Sequence, residues 1–260
     1  VPVLVGTSGW QYRWWSERFY PQGLRQADWL EFYAARFGTV EVNNAFYRLP
    51  EASTFAAWAR RTPDDFVVAV KASRYLTHVK RLATPAEPVT RLLERAAHLG
   101  PKLGPVLLQL PPTLAADPAR LDETLAAFAA ARPGVRVAVE FRHPTWFDSG
   151  TRSLLEARGA ALCLVDGPRL DTPVWRTAPW GYVRFHEGDG RPRPCYRRER
   201  LARWAERLAE QWAGDEDVYV YFNNDGSGCA VRDAVRFAAA VARCGRPVTR
   251  VPEDGEVHVG

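Results

Sequence analysis

Eight short β-rich runs, alternating with longer stretches of helical periodicity, constrain this chain more than any other feature. The runs are VLVGTS at 3–8, TVEVNN at 39–44, FVVAVKAS at 66–73 and PVLLQLPP at 105–112, then VRVAVEFRH at 135–143, ALCLVDG at 161–167, GYVRFHEG at 181–188 and DVYVYFNNDG at 217–226. Between them lie amphipathic segments such as ADWLEFYAARF, ASTFAAWARR, VTRLLERAAHL, ARLDETLAAFAAA and VRDAVRFAAAVARC. Strands that alternate with helices pair in parallel through right-handed crossovers. Eight such units in 260 residues predict an α/β fold: a single TIM-type (β/α) barrel of eight parallel strands over residues 1–260, with 251–260 as a C-terminal tail. An open doubly wound sheet is the competing architecture, but no G-x-G-x-x-G turn follows the first run.

Alternation within the runs sorts two faces. Val40 and Val42 oppose Glu41 and Asn43; Val68 and Val70 oppose Ala69 and Lys71; Val137, Val139 and Phe141 oppose Ala138, Glu140 and Arg142. Likewise Val183 and Phe185 oppose Tyr182, Arg184 and His186, and Val218, Val220 and Phe222 oppose Tyr219, Tyr221 and Asn223. A period of two places these sets on opposite faces of the sheet. The apolar set faces the helices, so the polar set points into the barrel. With Gln109 and Asp166 added, ten polar groups are expected inside: Glu41, Asn43, Lys71, Gln109, Glu140, Arg142, Asp166, Arg184, His186 and Asn223. Buried charge is costly unless paired or used. Two readings follow, a self-satisfied salt-bridge network or a ligand site at the C-terminal mouth, where barrel enzymes keep their chemistry. The number of converging groups favours the site.

Glu140, Glu41 and Asp166 are the acid/base candidates; paired carboxyl groups of this kind also run glycoside hydrolysis. The competing role for Glu140 is to anchor Arg142, Arg184 or Lys71. His186 is the expected proton shuttle, because imidazole titrates near neutrality, while His143 before Pro144 can instead fix a turn. His78 sits in SRYLTHVKRL beside Arg74, Tyr75, Lys80 and Arg81, a basic rim. Tyr47, Trp10 and Trp146 follow strands and can stack a ring, or simply pack. The run NNDGSG supplies Asn223 and Asn224 and leads into a helix, a geometry that suits an anion at the Gly226–Gly228 turn near Arg184. Glu140, Asp166 and His186 are a conceivable metal set, but the neighbouring cations oppose a dication. No cofactor is therefore expected, with a divalent metal as the minor alternative.

The net charge is +5, yet much of the arginine lies among glutamates at helical spacing, as in YRRERLARWAERLAE, which reads as a solvated helix face. The charge permits nucleic acid without requiring it. No apolar run approaches the ~20 residues of a membrane span, so a cytoplasmic protein without membrane partners is expected. Cys163, Cys195, Cys229 and Cys244 are widely spaced and read as reduced thiols.

The segments GTSGW, VEVNNAFYRLP, FVVAVKASRYLTH, LGPVLLQLPP, VEFRHPTWF and VYVYFNNDGSGCAVRDA resemble, in order from Gly6 to about Phe237, the YecE-like family, known as domain of unknown function 72. The resemblance implies a TIM-type barrel of prokaryotic origin and brings no established reaction. Two stretches depart from the family pattern. Asn43-Asn44-Ala45-Phe46-Tyr47 stands where the family carries Asn-Ser-Thr-Phe-Tyr, and EGDGRPRPCYRRER makes the loop after the seventh strand more positive. The combined expectation is an acid/base, hydrolase-like enzyme acting on a small anionic ligand such as a phosphorylated sugar or nucleotide. Glu140 and His186 would exchange protons, Lys71, Arg142 and Arg184 bind negative charge, and Asn43, Gln109 and Asn223 orient the ligand. The alternatives are a nucleic-acid-processing enzyme or a non-catalytic metabolite-binding barrel.

Overall fold

All eight predicted runs form strands. The structure is a computed structural model that describes residues 2–167, 172–214 and 216–258. The strands are β1 (Val3–Ser8), β2 (Thr39–Val42), β3 (Val67–Lys71), β4 (Leu103–Gln109), β5 (Val137–Glu140), β6 (Ala161–Asp166), β7 (Gly181–Phe185) and β8 (Val218–Phe222). They close into one barrel in sequence order, with β8 pairing β1 in parallel. Most of the strands stop short of the predicted runs: Asn43, Arg142, His186 and Asn223 lie just past the strand ends, at the mouth. Asn44–Tyr47 turns at once into a one-turn helix, α2.

Two separate apolar clusters confirm the facing. Val40, Val42, Val68, Val70, Val139, Val183, Phe185, Val220 and Phe222 belong to the outer core beneath the helices. Leu4, Ala69, Leu107, Ala138, Cys163, Tyr182, Tyr219 and Tyr221 fill the interior. Gly6 is required where β1 meets β2, because a Cβ there would lie 2.3 Å from the carbonyl oxygen of Thr39.

The helical ring comprises α1 (Trp29–Arg36), α3 (Ala52–Arg60), α4 (Ala86–Ala96), α5 (Pro118–Ala131), α6 (Ser149–Arg158), α7 (Arg198–Gln211) and α8 (Cys229–Arg243). Local chemistry sets several boundaries. Asp117 accepts from the amide of Arg120 with Pro118 at the first helical position, and Asp148 accepts from the amide of Thr151. Gly159 ends α6 in the left-handed conformation. Among the described residues no helix lies between β6 and β7. None is long and apolar enough to cross a membrane.

One expectation changes. Cys195 and Cys229 are not free thiols: they form a disulfide that ties the β7–α7 loop to the start of α8. Their separation of 34 residues hid a contact that only the packing of that loop creates. Cys163 and Cys244 remain free. The C-terminal segment docks on the body, with Glu256 pairing Arg36 at 2.9 Å and the amide of His258 donating to Arg18.

Candidate functional site at the barrel mouth

The inward polar residues meet in a layer that crosses the barrel. Glu41 on β2 and Glu140 on β5 are both fully buried, and Arg184 on β7 bridges them, donating through Nη2 to Glu41 at 2.8 Å and through Nη1 to Glu140 at 2.6 Å. Glu41 also accepts from the hydroxyls of Ser8 and Tyr182, each at 2.7 Å. Glu140 accepts from Gln109 Nε2 and Arg142 Nε, each at 2.8 Å, and lies 3.5 Å from His186 Nε2. Every oxygen of the two carboxyl groups is therefore engaged. Burial alone would raise Glu140, but the Arg184 charge, with His186 and Arg142, holds it well below the usual carboxylate range. A carboxylate so held does not donate a proton near neutrality. This corrects the expected proton exchange between Glu140 and His186: Glu41 and Glu140 are the frame that fixes Arg184.

Lys71 presents the opposite case. It closes β3, its residue is only 8% exposed, and among the described residues no hydrogen-bonding or ion-pair partner reaches its Nζ. The ammonium rests over the ring of Phe46, 4.2 Å from the centroid. Burial and the Arg184 charge, against the pull of Glu41 and Glu140, lower it from 10.5 to about 8. His78 packs edge-on against the same Phe46 ring at 5.0 Å and meets Thr77 Oγ1 at 2.9 Å. Burial and the charges of Lys71, Arg74 and Arg142 lower it to about 4. Arg142 commits Nε to Glu140, whereas its two terminal nitrogens contact no acceptor among the described residues.

The rim contains further predicted residues. Asn223 Nδ2 meets His186 Nδ1 at 3.0 Å and so orients that ring. Asn43 donates to the carbonyl of Ser8 and leaves Oδ1 buried without a donor. Tyr47 is 83% exposed at the entrance.

Other predicted residues lie elsewhere. Asp166 shares the outer face with Leu162 and Leu164, away from the interior. It accepts there from Tyr196 at 2.9 Å, Arg200 at 2.8 Å and the indole N–H of Trp204, so it clamps α7 to the barrel. Strict parity along β6 predicts this facing; polarity alone misled. The imagined set of Glu140, Asp166 and His186 is thus not assembled, and among the described residues no other His, Cys, Asp and Glu group is arranged as metal ligands. Asn224 is buried and donates to Asp233 at 2.8 Å and to the carbonyl of Pro194, holding the β7–α7 loop. Trp10 and Trp146 are core residues, against Trp58 at 5.4 Å and Phe141 at 4.7 Å. His143 caps its own turn through the amide of Thr145. The Gly226–Gly228 turn packs beneath Pro194, and Arg184 commits both terminal nitrogens to the carboxyl pair, so these two do not form an anion site together.

One residue escaped the sequence reading. Neither oxygen of Asp225, after β8, has a partner, and the adjacent Trp15 indole N–H is also unpaired. Burial pushes this carboxyl up from 3.8 to about 7, with Trp15 and Trp14 opposing only in part. Trp14 Nε1 instead reaches the Asp225 carbonyl at 3.1 Å. Tyr12 packs against Trp14 and Trp15 and donates its hydroxyl to the carbonyl of Ser8, whose own hydroxyl donates to Glu41, so this corner joins the polar layer through Ser8.

The sequence profile described as "Protein of unknown function DUF72" matches residues 4–255. The chain belongs to the DUF72 family. The UPF0759 protein YecE of Escherichia coli is 31% identical over 179 residues, which cover 68% of this chain and 62% of that protein, less than two thirds of its length. The UPF0759 protein YunF of Bacillus subtilis is 26% identical across 88% of this chain and 90% of its own. Among solved structures, a DUF72 protein of Thermotoga maritima superposes with a TM-score of 0.78 at 29% identity, covering 93% of this chain and all of its own. One from Enterococcus faecalis gives 0.76 at 20%, covering 92% and 95%, and this likeness speaks for the fold alone.

Proposed function

We propose that the DUF72 barrel mouth binds a small polar anion and turns it over by acid–base, hydrolase-like chemistry. One observation carries the reading: both buried carboxyl groups are consumed within the protein, while Lys71 Nζ and the terminal nitrogens of Arg142 are not. In formal charges Glu41 and Glu140 face Arg184, Arg142 and Lys71, an excess of one positive charge in a recess. A recessed ammonium without a counter-ion, as at Lys71, attracts an anion more strongly than a surface one. The recessed position of Lys71 suits a compact ligand better than a nucleic-acid backbone. Asn43 Oδ1 would accept from a ligand hydroxyl. In this reading proton transfer falls to His186, whose ring Asn223 orients at 3.0 Å.

The test is calorimetric binding of inorganic phosphate, a hexose phosphate and a nucleoside monophosphate. Binding by at least one, weakened roughly tenfold or more in Lys71→Met, is expected. No binding at millimolar concentration, or equal binding by wild type and variant, refutes the reading.

A further inference from the structure

The chain has three lysines, at 71, 80 and 102, and the structure puts them in three different states. Lys102 is buried but fully engaged, donating to the carbonyls of Ala59 at 2.6 Å and Thr62 at 2.7 Å. Lys80 lies on the loop after β3, with Nζ 5.6 Å from the centre of the Tyr75 ring. Lys71 alone is held inside the barrel mouth, on the rigid end of a strand, with no acceptor on its nitrogen among the described residues. Burial strengthens the pull of a charged ammonium on an anion, but it also makes the charged form harder to keep. What burial without a carboxylate partner provides is free amine.

We propose that Lys71 is a nucleophile that forms an imine with a small anionic carbonyl compound, the anion being held by the terminal nitrogens of Arg142. The inference rests on the anion-binding reading above and names its substrate class. The neutral amine gives its lone pair to the carbonyl carbon, a C–N bond forms, and the oxygen takes up a proton to give a carbinolamine. The C–O bond then breaks and the oxygen leaves as water. Both hydrogens of that water are matched by the two the amine loses, so the step needs no oxidant or reductant. His78 packs on the same Phe46 ring and stays neutral near pH 7, so its imidazole is available to relay the proton between nitrogen and oxygen. Arg142 offers a two-pronged donor, which suits a carboxylate or a phosphate.

The charges acting on Lys71 are Arg184 on β7, Glu41 on β2, and Glu140 and Arg142 at the end of β5, while His78 from its own loop shares the Phe46 ring. Their balance leaves Lys71 titrating near 8 where an ordinary lysine titrates at 10.5. At neutral pH this raises the free-amine fraction about 300-fold.

The test is reductive trapping. The protein is incubated with cyanoborohydride and either pyruvate, a 2-oxo acid, or glyceraldehyde 3-phosphate, an aldehyde phosphate; acetone is the uncharged control. Peptide mass mapping locates the adduct. A single adduct on Lys71 with at least one anionic probe is expected, rising to half its limiting rate near pH 8 and about tenfold or more above acetone. Lys71→Arg removes the nucleophile and should lose the adduct, whereas Asp166→Asn, on the outer face, should keep both the adduct and phosphate binding. No adduct at Lys71 from either probe, with phosphate binding intact, overturns the imine proposal and leaves the anion site standing. Equal trapping of acetone, with no phosphate binding, overturns the anion site and the substrate class drawn from it.

Discussion

Replacing Arg184 with methionine removes the one cation shared by two fully buried carboxyl groups. The two carboxyl groups are left in different positions. Glu140 keeps Arg142 and Gln109, whereas Glu41 keeps only the hydroxyls of Ser8 and Tyr182. Breaking a buried ion pair from one side costs about 3–5 kcal/mol. Uptake of a proton sets a ceiling, since neutralising an ordinary glutamate of 4.5 at pH 7 costs about 3.4 kcal/mol at ~1.36 kcal/mol per pH unit. The expected loss at pH 7 is therefore about 3 kcal/mol. The pH dependence supplies the sharper test. In the wild type Glu140 is held low, so its contribution is present above the ordinary carboxylate range and is lost as pH falls through its depressed value. In Arg184→Met, protonation relieves the orphaned carboxyl, so the deficit against wild type should shrink between about pH 7.5 and 5. Urea unfolding followed by tryptophan fluorescence, with ten tryptophans as reporters, measures both. A deficit below about 1 kcal/mol at pH 7.5, or one that widens toward pH 5, refutes the account of the layer. Adding Glu41→Gln should restore most of the loss, because the two sites are directly coupled.

Three further outcomes follow from the same geometry. Asp225 is raised toward 7, so the wild type loses stability as pH climbs from the ordinary carboxylate value to about 7; Asp225→Asn should lack that slope and gain about 1–3 kcal/mol at pH 8, read by thermal melts across pH. Asp166→Asn should cost roughly 3 kcal/mol by releasing Tyr196, Arg200 and Trp204, yet leave phosphate binding within about twofold; a selective loss of binding would return Asp166 to the site. Thiol titration of the unfolded, unreduced protein should find two free cysteines and four after reduction, and Cys229→Ser should lower stability by up to about 3–4 kcal/mol for a loop of 34 residues; four thiols without reductant would dismiss the disulfide.

Legibility of the site followed how local each feature is. The facing of Lys71, Glu140 and Arg184 was readable because a strand alternates strictly and the outer neighbours, such as Val70, Val139 and Val183, are branched and apolar. Asp166 shares the parity of Leu162 and Leu164, and that parity, not its charge, sets its facing. Asp225 carried no signal at all: a single aspartate in a glycine-rich turn looks solvated, and only the approach of Trp14 and Trp15 from the loop after β1 buries it.

By itself, the sequence determined the barrel, its eight strands and the two alternating faces of each, because those follow from periodicities set by backbone geometry within each segment. The tertiary structure decided which of those side chains are spent and which remain available. Arg184 on β7 reaches Glu41 on β2 and Glu140 on β5 across the closed barrel, contacts 143 and 44 residues apart along the chain. Whether Lys71 then finds a counter-ion is fixed by distances in space, to which spacing along the sequence is blind.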